Sequence, residues 1–267
     1  MAEEERREFG KKRKTSLGKH WIKQLNRSVI KQPVMTYYYG AKYRGTWQQV
    51  EKQVREQKIV FPKDKDEKDT TNKCITWLVK AIRKLIPQEI PTLKVVIEFL
   101  QDAAKACCKA GKPIVWTTPS GFKVVLDEVN TKPRQIRTQL FGTLIQLTCK
   151  EIVMPPVYSL HDQAGGISAN FIHSLDASAM AMCVNEALSH GITSFRMIHD
   201  GFATVPGDMK VFNKCIRKGF IEMYSGKNPL KALVEEALEK DHPLTKNLPP
   251  QGSLELERLI SAYYFFE

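Results

Sequence analysis

Residues 194–206 read SFRMIHDGFATVP, two short apolar runs meeting at Asp200-Gly201, the kind of dipeptide that most often closes a β-hairpin. Asp-Gly tolerates the positive φ angles of a two-residue loop, so local chemistry alone accounts for a turn. A carboxylate at such a tip is also rigid, exposed and poor in side-chain freedom. Those are the properties a divalent-cation site for phosphoryl chemistry requires, although a two-ion site needs at least one more carboxylate nearby. If the first strand continues to residue 199, His199 faces away from Asp200 and reads as a neighbour with no direct ligand role.

On either side of the hairpin the pattern is helical. Upstream, ISANFIHSLDASAMAMCVNEAL predicts a long helix over about 167–188, closed by His190-Gly191, and further helices are expected near 208–224 and 229–239. Between Pro113 and Leu147 the texture changes to IVWTTPSGFKVVLDEV and QIRTQLFGTLIQL, rich in β-branched and aromatic residues around a Pro-Ser-Gly turn, and strands are expected. Before them, helices are predicted over about 69–86 and 91–110, with Pro91 suited to a first turn and Gly111 to a C-terminal cap. FPKDKDEKDTTN, 61–72, reads as a polar surface loop, and 19–57 as mostly helical with an interruption at YYYG. Residues 1–19 are charged, mixed in sign and poor in apolar side chains, the composition of a flexible leader. The class is α+β, mostly helical.

Composition narrows the partners. Lys and Arg outnumber Asp and Glu 41 to 29 over 267 residues, giving a net charge of +12 and a pI near 9.4, which favours a polyanion such as nucleic acid. No run approaches the roughly 18 apolar residues of a membrane span, and MAEEERREFGKKRK lacks the apolar core of a signal peptide, so no membrane partner and a cytoplasmic location are expected. The six cysteines include no Cys-x-x-Cys pair and read as reduced core residues.

Two further stretches carry candidate chemistry. In RSVIKQPVMTYYYG, 27–40, Arg27, Lys31, Met35 and Tyr39 recur every four residues, which on a helix sets two cations and a phenol along one stripe. Arginine offers a planar fork for phosphate oxygens, lysine a mobile charge, and an aromatic ring a stacking face. The same spacing also describes an ordinary amphipathic helix with solvated cations. Pro33 removes a backbone hydrogen bond and crowds the Val29 carbonyl, so a kink or a new helical start is expected there. In the long helix, His173 and Asp176 stand three apart on one face, where they suit a substrate hydrogen bond, a metal ligand or a satisfied structural pair.

Taken in this order, the three stretches resemble single-subunit RNA polymerases of the bacteriophage and mitochondrial type. RSVIKQPVMTYYYG is similar to the motif B of that family, ANFIHSLDAS to its His-Ser-x-Asp segment, and IHDGF to its motif C; GTWQQVEKQV, TTPSGFKV and the aromatic tail extend the likeness from about residue 20 to the end. The resemblance implies a right-hand fold, with 20–172 as fingers carrying motif B and 173–267 as the C-terminal part of the palm, its catalytic aspartate on a β-hairpin. It also implies roles. Asp200 would be a catalytic, metal-binding aspartate for two magnesium ions, and Lys31 and Arg27 would hold the triphosphate. Tyr39, with Gly40, would check the base pair and, with His173, the ribose 2′-hydroxyl, which is how such an enzyme prefers ribonucleotides. DNA template, nascent RNA and nucleoside triphosphates are the implied partners. The departures are Pro33 inside motif B, Gly201 where serine or cysteine is usual, and Glu267 where phage proteins end on a small apolar residue.

Motif A of the family, with its second catalytic aspartate, lies well upstream of motif B, yet 26 residues precede Arg27 and none resembles it. The expectation is a catalytic part that needs a complementary N-terminal polymerase chain and is inactive alone, or a truncated reading frame. Two other readings stand beside it: a fragment of a family A DNA polymerase, and a non-catalytic nucleic-acid-binding remnant. Against the first, Met35-Thr36 replaces an aromatic residue and glycine, and Gly201 replaces a second acid.

Overall fold

A computed structural model describes residues 16–63 and 69–265, and the chain forms two compact units, Met1–Ile97 and Glu98–Glu267. In the first unit, α1 (Ser16–Trp21), α2 (Arg27–Tyr38), α3 (Tyr43–Glu56) and α4 (Thr71–Glu89) surround one apolar core. The core follows from spacing. Ile75, Leu78, Val79, Ile82 and Ile86 recur at helical intervals along α4, and Thr46, Val50 and Val54 along α3, so each helix turns one stripe inward. Trp21 closes the cluster, 2% exposed, with its indole nitrogen donating to the Cys74 carbonyl at 3.0 Å and Phe61 against its ring at 4.9 Å. Ordered chain thus begins before Lys19. The rest of the charged leader, residues 1–15, lies outside the described residues, as do 64–68 of the polar loop and the last two residues, including Glu267. The loop is pinned at its ends, where the Thr70 hydroxyl donates to the Pro62 carbonyl at 2.6 Å and Asp69 accepts from the Thr71 amide at 2.8 Å.

The unit boundary falls inside α5 (Pro91–Lys109), which starts on the expected proline and ends before Gly111 at φ +68°. The second unit is α+β, with antiparallel pairs β1–β2 (Ile114–Thr117, Lys123–Leu126), β3–β4 (Thr131–Leu140, Thr143–Ile152) and β5–β6 (Arg196–Ile198, Gly201–Ala203). Its helices are α6 (Leu160–Ser189), α7 (Met209–Ser225), α8 (Pro229–Ala237) and the single turn α9 (Pro243–Lys246). β1–β2 docks on α6 through Trp116, whose indole donates to the Ser174 hydroxyl at 3.0 Å, and through the Ser120 amide, which donates to the Ser178 hydroxyl at 2.8 Å.

Helix α6 begins seven residues before the predicted start. Gly165-Gly166 reads as a breaker, each glycine costing about 1 kcal/mol against alanine, but Ser159 caps the helix by accepting from the Asp162 amide, and Gln163, Ile167 and Phe171 are buried along one side. Burial and capping outweigh propensity. The division between 172 and 173 drawn from the resemblance falls in the middle of this unbroken helix. α7 crosses α6 closely at Gly219, where a Cβ would meet the Cys183 amide nitrogen and sulfur at 3.0 Å. Of the cysteines, Cys74, Cys107, Cys183 and Cys215 are buried as expected, Cys108 is half-buried, and Cys149 departs from the expectation, being exposed on β4.

Candidate functional site

In the second unit, the short hairpin is held from beneath. Side chains alternate across a strand, so Phe195 and Met197 point one way, and Phe202, directly opposite Met197, points with them. All three pack on Cys183, Ala187, Ile192, Phe212, Cys215 and Ile216, with Phe212 fully buried and its ring centre 5.6 Å from Phe195 and 6.3 Å from Phe202. The open end is tied by the Thr204 hydroxyl donating to the Ser194 carbonyl at 2.7 Å.

The turn differs from the expected one by a residue. Ile198 pairs with Gly201, so the two-residue loop is His199-Asp200, and the positive φ, +51°, belongs to His199. A positive φ at the first loop residue alone follows the II′ sign pattern, strained for a side chain with a Cβ. Gly201 is needed for closeness: a Cβ there would lie 3.2 Å from the Ile198 carbonyl oxygen. Asp200 is exposed at the tip, and its carboxylate makes no ion pair or hydrogen bond with any described residue.

His199, predicted to be only a neighbour, reaches α6 instead. Its Nδ1 lies 3.5 Å from Asp176 Oδ2. Asp176 therefore bridges its helix to the catalytic-candidate loop, while His173, one turn earlier on α6, is exposed. Behind Asp176, burial and the nearby carboxylate push the Tyr224 phenol above its ordinary range.

In the first unit, α2 carries the other candidates. Val29 and Pro33 are its buried side, and Arg27, Lys31 and Met35, two residues out of phase, lie exposed on the opposite side, as the spacing predicts. The helix is continuous from Arg27 to Tyr38 through Pro33, with no new start; Asn26 caps it by accepting from the Val29 amide at 3.2 Å. Pro33 is buried within the helix. At the other end, Gly40 (φ +85°) donates to the Tyr37 carbonyl at 3.1 Å and Ala41 to that of Thr36 at 3.0 Å, a Schellman ending that sets Tyr39 at the C-cap. The interruption at YYYG is this cap. Arg83 reaches it from α4, donating Nη1 to the Ala41 carbonyl at 2.7 Å with its guanidinium 5.1 Å over the Tyr37 ring. Sequence reasoning missed Arg83 and the His199–Asp176 pair, because neither contact is local.

As to a metal, an unpaired, exposed carboxylate on a rigid loop is the hard oxygen donor magnesium takes, so Asp200 fits as one ligand. The one group of three potential ligands among the described residues, Glu186, His190 and Cys215, is of another kind. Lys218 lies 3.0 Å from Glu186 and holds its carboxyl below the usual range, while burial pushes the Cys215 thiol up. That cluster is an ion-pair network with a buried sulfur, unsuited to magnesium.

The second unit is thus an α+β scaffold built to hold out a carboxylate, and the first holds out a cationic helix face. The family described as DNA-dependent RNA polymerase matches residues 1–244, and the chain belongs to it. The chain is 29% identical over 252 residues to DNA-directed RNA polymerase 3, chloroplastic, of Nicotiana sylvestris, covering 94% of this chain and 24% of that protein. It is 27% identical over 247 residues to DNA-directed RNA polymerase 1B, mitochondrial, of Nicotiana tabacum, covering 92% and 23%. With DNA-directed RNA polymerase 1, mitochondrial, of Arabidopsis thaliana it shares 29% identity over 247 residues, covering 92% and 24%. The chain spans about a quarter of the length of the curated relatives it matches. Among the described residues, no helix is long and apolar enough to cross a membrane.

Proposed function

We propose that this chain is the C-terminal catalytic part of a DNA-directed RNA polymerase, transferring ribonucleotides to a growing RNA on a DNA template. The observation that carries the reading is Asp200: an unpaired carboxylate, at the tip of a hairpin seated on a buried apolar platform, in a chain matched by the polymerase family from residue 1 to 244. Each candidate then has one task. Arg27 and Lys31, exposed on one side of α2, bind the triphosphate and neutralise charge that grows during transfer. Tyr39 and Gly40, at the end of the same helix, form the surface against which the incoming base pair is checked, and His173 and the Tyr39 phenol orient the ribose through its 2′-hydroxyl. Asp200 would hold magnesium, which would supply activation of the primer 3′-hydroxyl and charge stabilisation for the departing pyrophosphate.

In this reading the fingers comprise residues 20–172 and the palm portion 173–267, and Asp200 acts with at least one further carboxylate, as a two-ion site requires. The protein works on nucleic acid in the cytoplasm. The test is primer extension: this chain, combined with an N-terminal polymerase segment that carries a motif A aspartate, extends an RNA primer on DNA with magnesium and ribonucleotides. Absence of extension by the pair refutes the reading, and faster incorporation of deoxyribonucleotides transfers it to DNA synthesis.

A further inference from the structure

We propose that Arg83 is a specificity-positioning residue: it locks the helix end that carries Tyr39 and Gly40, so that sugar discrimination depends on a side chain that need not touch the nucleotide. The inference rests on the polymerase reading. Four observations in the first unit carry it. The Ala41 amide closes the Schellman ending by donating to the Thr36 carbonyl at 3.0 Å, and the carbonyl of the same residue accepts from Arg83 Nη1 at 2.7 Å. That nitrogen also lies 3.2 Å from the Thr46 hydroxyl, in the first turn of α3. The guanidinium plane lies over Tyr37, 5.1 Å from the ring centre, in the last turn of α2. Among the described residues no carboxylate pairs with Arg83, so its charge is spent on a carbonyl, a hydroxyl and a ring that all belong to this helix end and its exit.

The arrangement needs arginine specifically. Lysine offers a compact ammonium that can bond the carbonyl but cannot keep a flat cation on Tyr37 at the same time. The clamp adds to the backbone bonds, of 3.1 and 3.0 Å, that hold Gly40, in the left-handed region, and Ala41 at the end of the helix. Tyr39 sits between those bonds. Its placement to within a fraction of an ångström is what a discriminating contact requires.

The experiment uses the full chain, alone and combined with the complementary segment, as wild type, Arg83→Ala, Arg83→Lys and, as a destabilised control from the same core, Val79→Ala. Two quantities are read: the ratio of kcat/KM for ribonucleotide over deoxyribonucleotide, and amide hydrogen exchange at Gly40 and Ala41. Arg83→Ala is expected to lower the ratio about tenfold and to speed exchange at those two amides by a similar factor, the loss of one charge-assisted hydrogen bond. Arg83→Lys should fall between, and Val79→Ala should lose stability with the ratio unchanged. An unchanged ratio in Arg83→Ala overturns the proposal. So does exchange that rises evenly across the first unit, the mark of a merely structural residue. A wild type that incorporates neither nucleotide refutes the polymerase reading itself, and the exchange measurement still decides whether Arg83 locks the helix end.

Discussion

The hairpin β3–β4 runs ten residues on each strand and leaves every side chain but that of Ile145 exposed, including Phe141 and Leu144 near its tip. The hairpin β5–β6 has three residues per strand, yet seats Phe195, Met197 and Phe202 on two helices. Ladder length and firmness of placement are thus separate properties. A two-stranded ribbon is marginal by itself in water, so the long hairpin has its shape from paired strands and little else. The short one is placed by apolar burial, which also fixes where its two-residue loop stands. A carboxylate that must meet a metal gains from the second arrangement.

The sharpest way to break the contrast is at the tip. Asp200→Asn should abolish the nucleotide addition proposed for this chain, read by primer extension, while stability in urea stays within about 0.5 kcal/mol of wild type because the side chain is exposed and unpaired. Next in size, Phe212→Ala removes the ring under both Phe195 and Phe202 and should cost about 3–5 kcal/mol in urea unfolding. Leu144→Ser on the long ribbon should cost under about 0.5 kcal/mol in the same assay, and an equal loss at the two sites would erase the distinction. Gly201→Ala pushes a methyl to 3.2 Å from the Ile198 carbonyl and is expected to cost about 1 kcal/mol and to slow extension by shifting Asp200.

The smallest effect lies in the platform. Lys218 depresses the Glu186 carboxyl in the folded state, so the pair stabilises at pH values above the unfolded carboxylate's pKa, about 4.3, and that contribution fades as pH falls through the lower folded value. Glu186→Gln should therefore flatten the acid side of a melting-temperature curve.

Much of this was legible in the sequence. The apolar spacing of Ile75, Leu78, Val79, Ile82 and Ile86 marks α4, and Pro91 and Gly111 mark the ends of α5, because each signal is local. The hairpin turn was displaced by one residue for a non-local reason. A loop at Asp200-Gly201 would extend the first strand and turn His199, in phase with Met197, toward the apolar platform; ending the strand at Ile198 leaves His199 outside, within reach of Asp176. Dipeptide statistics see the preferred φ of Gly201 and nothing of Phe212 beneath it. The Arg27–Lys31 face was legible for the same reason as α4. Arg83 was not, since 42 residues separate it from the carbonyl it holds.

The distribution of thiols gives the contrast between the hairpins a time axis. Cys149 stands exposed on β4, whereas Cys183 lies against Gly219 at the crossing of α6 and α7, its thiol pushed up to about 11 by burial. Only a thiolate reacts with an alkylating reagent, so Cys149 should be modified at the speed of the reagent and Cys183 only while its surroundings are open. The chain thus carries its own fast and slow labels. Following both by mass reports the opening of the platform beneath Asp200 without a probe being added.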